Sequence, residues 1–110
     1  MDDDERRRSQ RTSYVAFAWY GLITDDEEPL QEGIARSIDL SLDGLGMVTP
    51  RPLALGRKVF VKIKAPEGTI AAVAVVVNVA DHGEGTYRVG LRFEILAPSD
   101  LPVLHRMVAG

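Results

Sequence analysis

The chain of 110 residues contains no cysteine. Disulfides, thiol nucleophiles and cysteine-based zinc sites are therefore excluded. Histidine is scarce: His82 sits among glycines and His105 lies near the C-terminus, and neither falls in an HExxH or comparable ligand spacing. No G-x-S-x-G elbow and no P-loop is present. The sequence thus offers no metal centre and no nucleophile–base pair, and it reads as a non-enzyme. No apolar run reaches the roughly 18 residues of a membrane span. No apolar stretch ending in a small-residue cleavage site follows the N-terminal arginines. The expected setting is the cytoplasm, without membrane insertion. Positive charge is also in deficit, with 13 Lys and Arg against 16 Asp and Glu and a net charge of -3. That balance argues against nucleic acid as a partner.

What is present suits a single β domain. With 45% hydrophobic residues the chain can bury a core unaided. Residues 12–22 alternate, with Val15, Phe17 and Trp19 on one side and Tyr14, Ala16, Ala18 and Tyr20 on the other, which is the period of a strand. Residues 24–33 form an acidic loop broken by Pro29 and Gly33; its four acids at 25–28 lack EF-hand spacing and read as a solvated loop. Residues 34–41 read as a second strand, LDGLG as a tight turn, MVTP as a short third strand and 50–56 as a proline-rich connection. Residues 57–64 place Val59, Val61 and Ile63 on one face, 66–68 turn, and 69–80 form a long β-branched strand. DHGEG is a hairpin loop whose glycines supply positive φ. Residues 86–95 set Tyr87, Val89, Leu91, Phe93 and Ile95 against Arg88, Gly90, Arg92 and Glu94. After Pro98, Leu101, Leu104, Met107 and Val108 take helical spacing, with Ser99 as the expected N-cap and Asp100 in the first turn. Six short antiparallel strands followed by one helix predict an all-β six-stranded antiparallel barrel that closes its own edges.

Two features do not read as scaffold. Residues 1–11 form a polar arm carrying Arg6, Arg7, Arg8 and Arg11, ahead of the domain at 12–110. Asp39 and Ser41 lie two apart at the end of the second strand and are expected on one side of it. Gly44 follows where the chain is expected to turn, allowing positive φ and close backbone approach. Guanidinium groups bind phosphate and the O6/N7 edge of guanine bidentately and stack on flat bases. A carboxylate complements the donors of the other guanine edge. Alone, each feature has a plain structural reading, as a local turn or a solvated basic tail.

Together, Arg7-x-x-x-Arg11 before the first strand and Asp39-x-Ser41-x-x-Gly44 after the second resemble the PilZ domain family. YRVGLRF at 87–93 and the terminal helix agree with it, over residues 5–108. The resemblance implies a split-barrel-type fold and binding of cyclic di-GMP through Arg7, Arg11, Asp39, Ser41 and Gly44, with Arg8 doubling the first arginine; Arg6, within the same reach, is added to the expected site for its guanidinium. The resemblance also implies no cofactor, and a stand-alone receptor, monomer or homodimer, whose ordered arm signals to an effector protein controlling motility, biofilm or virulence. The extra guanidiniums of Arg6 and Arg8 lead us to expect two ligand molecules per chain, Arg6 recruiting the second. The alternative is a PilZ-like module that binds only protein.

Overall fold

Which side of the alternating N-terminal segment faces inward depends on its neighbours. In the computed structural model, which describes residues 11–23 and 31–109, Ala18 and Tyr20 are buried while Phe17 is 76% exposed. The strands are β1 (Thr12–Ser13), β2 (Phe17–Leu22), β3 (Glu32–Leu40), β4 (Gly44–Thr49), β5 (Lys58–Ala65), β6 (Gly68–Gly83) and β7 (Thr86–Leu96). A 3₁₀ turn at Pro98–Asp100 leads into α1 (Leu101–Ala109). β2 pairs with β3 and β5, β5 with β6, β6 with β7, β7 with β4, and β4 with β3, all antiparallel. The circuit returns to its start, so β2–β7 form a closed six-stranded antiparallel barrel with one C-terminal helix. Closure leaves no row of unpaired backbone groups.

The segment 12–22, expected as one strand, is two. β1 pairs Ser13 with Asp39, and β2 begins by pairing Phe17 with Arg36, so three residues oppose two. The buried Ser37 splices this bulge: its Oγ accepts from Ala16 N at 2.8 Å and donates to Tyr14 O at 2.7 Å. Its hydroxyl replaces backbone groups that the extra residue has displaced. Likewise LDGLG is not all turn. β4 already starts at Gly44, and neither Gly44 nor Gly46 is among the residues with positive φ, which include Gly83, Glu84 and Gly85 of the β6–β7 hairpin. What Gly44 supplies is close approach, because a Cβ there would strike Leu91 O.

The core is the barrel interior, filled by Leu40, Met47, Ile63 and Leu91 and closed by Leu104 and Met107 of α1. The alternation in β7 fails at its end. Ala74 pairs with Phe93 but Val73 with Ile95, so the extra Glu94 breaks the period and Ile95 is 65% exposed. The helix entry also differs from expectation. Ser99 falls inside the 3₁₀ turn that precedes α1, and the N-cap of that turn is Ala97, which makes no side-chain cap. Asp100 instead ties the helix to the barrel, its Oδ2 accepting from Ala71 N at 3.0 Å.

Candidate functional site

β1 is only two residues long, but its pairing with Leu40 and Asp39 brings the preceding residue, Arg11, to the end of β3. Arg11 Nη1 donates to Asp39 Oδ1 at 2.8 Å. The other carboxylate oxygen, Oδ2, accepts from Arg88 Nη2 of β7 at 2.7 Å. Asp39 and Arg88 are separated by β4, and the reach across it depends on Gly46. Asp39 pairs with Gly46, which pairs with Gly90 two residues beyond Arg88. A Cβ at Gly46 would lie 2.6 Å from Asp39 Oδ1, so only glycine lets the carboxylate lie flat over β4. The Asp39 side chain is 15% exposed and its arginines 41% and 49%. Pairs this exposed contribute little to stability. Their effect is geometric: one carboxylate holds two half-exposed guanidiniums, each of which has further N–H donors, and the carboxylate keeps lone pairs in reserve.

Ser41 has a different place. It is 1% exposed, and its Oγ accepts from Asp43 N at 3.2 Å and Gly44 N at 3.1 Å. Its own N–H donates to Gly44 O at 2.9 Å. Ser41 lies one residue beyond β3, so strand alternation no longer governs it, and the expected joint display of carboxylate and hydroxyl is replaced by a buried hydroxyl that organises the turn. Gly44 stands at the start of β4, pairing with Arg92. Asp39 and Arg11 are thus brought together by an ion pair, while Ser41 and Gly44 are buried in the turn that leads from β3 to β4. Arg6, Arg7 and Arg8 lie outside the described residues, as does most of the acidic loop.

Arg88 is not among the candidate residues that the sequence singles out. It stands within YRVGLRF as an ordinary outward residue, and nothing local in the sequence reveals that β7 runs two strands from Asp39. Among the described residues no group of three or more His, Asp or Glu could hold a metal ion, and no helix is long and apolar enough to cross a membrane. A cavity of about 450 Å³ lies at the other end of β3, lined in part by Tyr20, Glu32, Arg51, Leu53 and Arg57. Burial raises the pKa of Tyr20 and Arg51 opposes the shift. None of the described candidate site residues, Arg11, Asp39, Ser41 and Gly44, lines this cavity.

The family model of the PilZ domain matches residues 5–110. The chain belongs to the PilZ domain family. Solved structures resemble this PilZ domain over nearly its whole length. The PilZ domain with c-di-GMP of YcgR from Escherichia coli has a TM-score of 0.71 at 23% identity, covering 94% of this chain and 89% of that one. The Bacillus subtilis inhibitor of motility, MotI/DgrA, has a TM-score of 0.67 at 21% identity, covering 90% of this chain and 46% of that one. The K. pneumonia MrkH–c-di-GMP complex has a TM-score of 0.71 at 19% identity, covering 94% and 50%. The PilZ domain described here therefore spans about half the length of the latter two. At these identities the likeness speaks for the fold. No curated protein sequence matches the chain.

Proposed function

We propose that this PilZ domain is a receptor for cyclic di-GMP, with Arg6, Arg7, Arg8, Arg11, Asp39, Ser41 and Gly44 forming the ligand site. The observation that carries the reading is the clamp in which Asp39 holds Arg11 and Arg88 at the barrel surface. It joins the last arginine of the arm to the acid of the Asp-x-Ser-x-x-Gly turn. The names of the E. coli YcgR domain and of MrkH record the same ligand in structures of the same fold. In this reading the arginines fork onto phosphate oxygens and the O6/N7 edge of guanine. Asp39 orients two of them, and Ser41 with Gly44 keeps the turn in shape. The protein is non-catalytic and acts in the cytoplasm. Ligand binding draws the arm's guanidiniums onto the barrel, and an effector protein reads the altered surface. Motility control is the output that the name of MotI suggests.

Calorimetry with cyclic di-GMP, and with GTP and cyclic GMP as controls, tests the proposal. Cyclic di-GMP alone should bind; no heat with it, or equal affinity for GTP, removes the receptor reading. A second reading, a protein-only module, draws on the exposed outer residues Val15, Phe17 and Ile34, which are 71%, 76% and 59% accessible. It predicts no thermal shift with the nucleotide.

A further inference from the structure

Asn78 interrupts the valine run of β6, in VVVNVA, although asparagine is poorly suited to strands. Strict alternation would send it inward with Ala72, Ala74 and Val76, all of which are buried. It points outward instead. Val76 pairs with Leu91 but Asn78 with Gly90, so Val77 is an extra residue and the bulge reverses the side on which Asn78 emerges. Bulges of this kind re-aim a side chain and gather near functional sites. The side chain then lies flat against the wall. A Cβ at Gly90 would stand 2.5 Å from Asn78 Nδ2 and 2.6 Å from Oδ1. Gly90 pairs with Gly46, over which the Asp39 carboxylate lies in the same manner. Two adjacent glycines thus let a carboxylate and a carboxamide rest side by side on the outer wall, about one strand spacing apart. Arg88 and Arg92 flank them along β7, both exposed. No described residue hydrogen-bonds the Asn78 carboxamide, whereas both oxygens of Asp39 already accept from arginine.

We infer that Asn78 is a base-reading residue of the ligand site, its carboxamide pairing with the N1–H and O6 edge of a guanine seated against Asp39. The inference rests on the receptor reading. Guanine presents a donor and an acceptor side by side on that edge, and a carboxamide offers the complementary acceptor and donor. Asp39, engaged by two arginines, positions the guanidiniums for the phosphates and the O6/N7 edge. Asn78 meets the face those groups leave open.

The test is titration of wild type, Asn78→Ala and Asn78→Val with cyclic di-GMP, together with the melting temperature of each unliganded protein. Valine continues the run of β6 and suits the strand, so it separates recognition from folding. The expected result is about tenfold weaker binding in both variants, in the range of one lost bidentate base contact, with unliganded melting unchanged or, for valine, raised. Binding within twofold of wild type in both variants overturns the assignment to Asn78 and leaves the receptor reading intact. A loss of affinity matched in both by a lower unliganded melting temperature overturns it too, since the role would be structural. A wild type that does not bind cyclic di-GMP removes both readings at once.

Discussion

Asp39 and Ser41 belong to one sequence motif but do different physical work, and substitution separates them. Asp39 is at the surface, and its two ion pairs are solvent-screened. Asp39→Ala should shift unfolding free energy by less than about 1 kcal/mol. It should weaken cyclic di-GMP by about tenfold or more, because Arg11 and Arg88 lose their common anchor. Ser41 is buried with two backbone donors on its oxygen. Ser41→Ala leaves those N–H groups without an acceptor and should destabilise by about 1–3 kcal/mol. Urea unfolding paired with calorimetry reads both quantities. A stable Ser41→Ala protein that fails to bind would move Ser41 from the turn to the ligand.

At the scale of elements, closure of the barrel concentrates demands on a few contacts. β4 approaches β7 closely enough at Gly44 that a methyl group meets the Leu91 carbonyl, a backbone atom that cannot rotate aside. Gly44→Ala should therefore destabilise by about 1–3 kcal/mol and broaden the amide signals of β4 and β7; a neutral effect would show that the two strands can part. The entry to β2 is held at another point. Tyr14 donates to Glu67 Oε1 of the β5–β6 turn at 2.8 Å. Burial, that hydrogen bond and the Glu67 charge push its pKa up to about 12 from 10.0. A folded pKa above the unfolded one means stability present below pH 10 and lost as pH rises towards 12. Tyr14→Phe should flatten that alkaline decline relative to wild type, measured by denaturant midpoints between those two pH values. An unchanged slope would place the decline elsewhere.

For the molecule as a whole, the receptor reading links ligand binding to folding. Cyclic di-GMP at about 100 times its Kd should add about 2.7 kcal/mol and raise the melting temperature by on the order of 10 °C. GTP at the same concentration should leave it unmoved. Stoichiometry is the second whole-molecule question. With four arginines in the first eleven residues and Arg88 added from β7, the guanidiniums suit a larger anionic target than one ligand. Two molecules per chain are expected for wild type and one for Arg6→Ala. A wild-type ratio of one, or a ratio of two that survives the substitution, takes Arg6 out of the mechanism.

Period-two alternation in β5, with Val59, Val61 and Ile63 inward, and helical spacing of Leu104 and Met107 were legible in the sequence, because side-chain direction repeats locally along a regular element. So were the two motifs that hold Arg11 and Asp39, since the residues of each lie at set distances along the chain. The rest was decided in three dimensions. The bulges at Val77 and Glu94 depend on which residue of a neighbouring strand each one faces, and they reverse the sides of Asn78 and Ile95. The roles of Gly44 and Gly46 come from what lies across the sheet, where a sequence reading finds only a turn. Arg88 meets Asp39 because β7 sits two strands from β3, and strand order is a property of the closed barrel. Alternation records local geometry, but register and strand neighbours are selected by long-range packing, which no short stretch of sequence encodes.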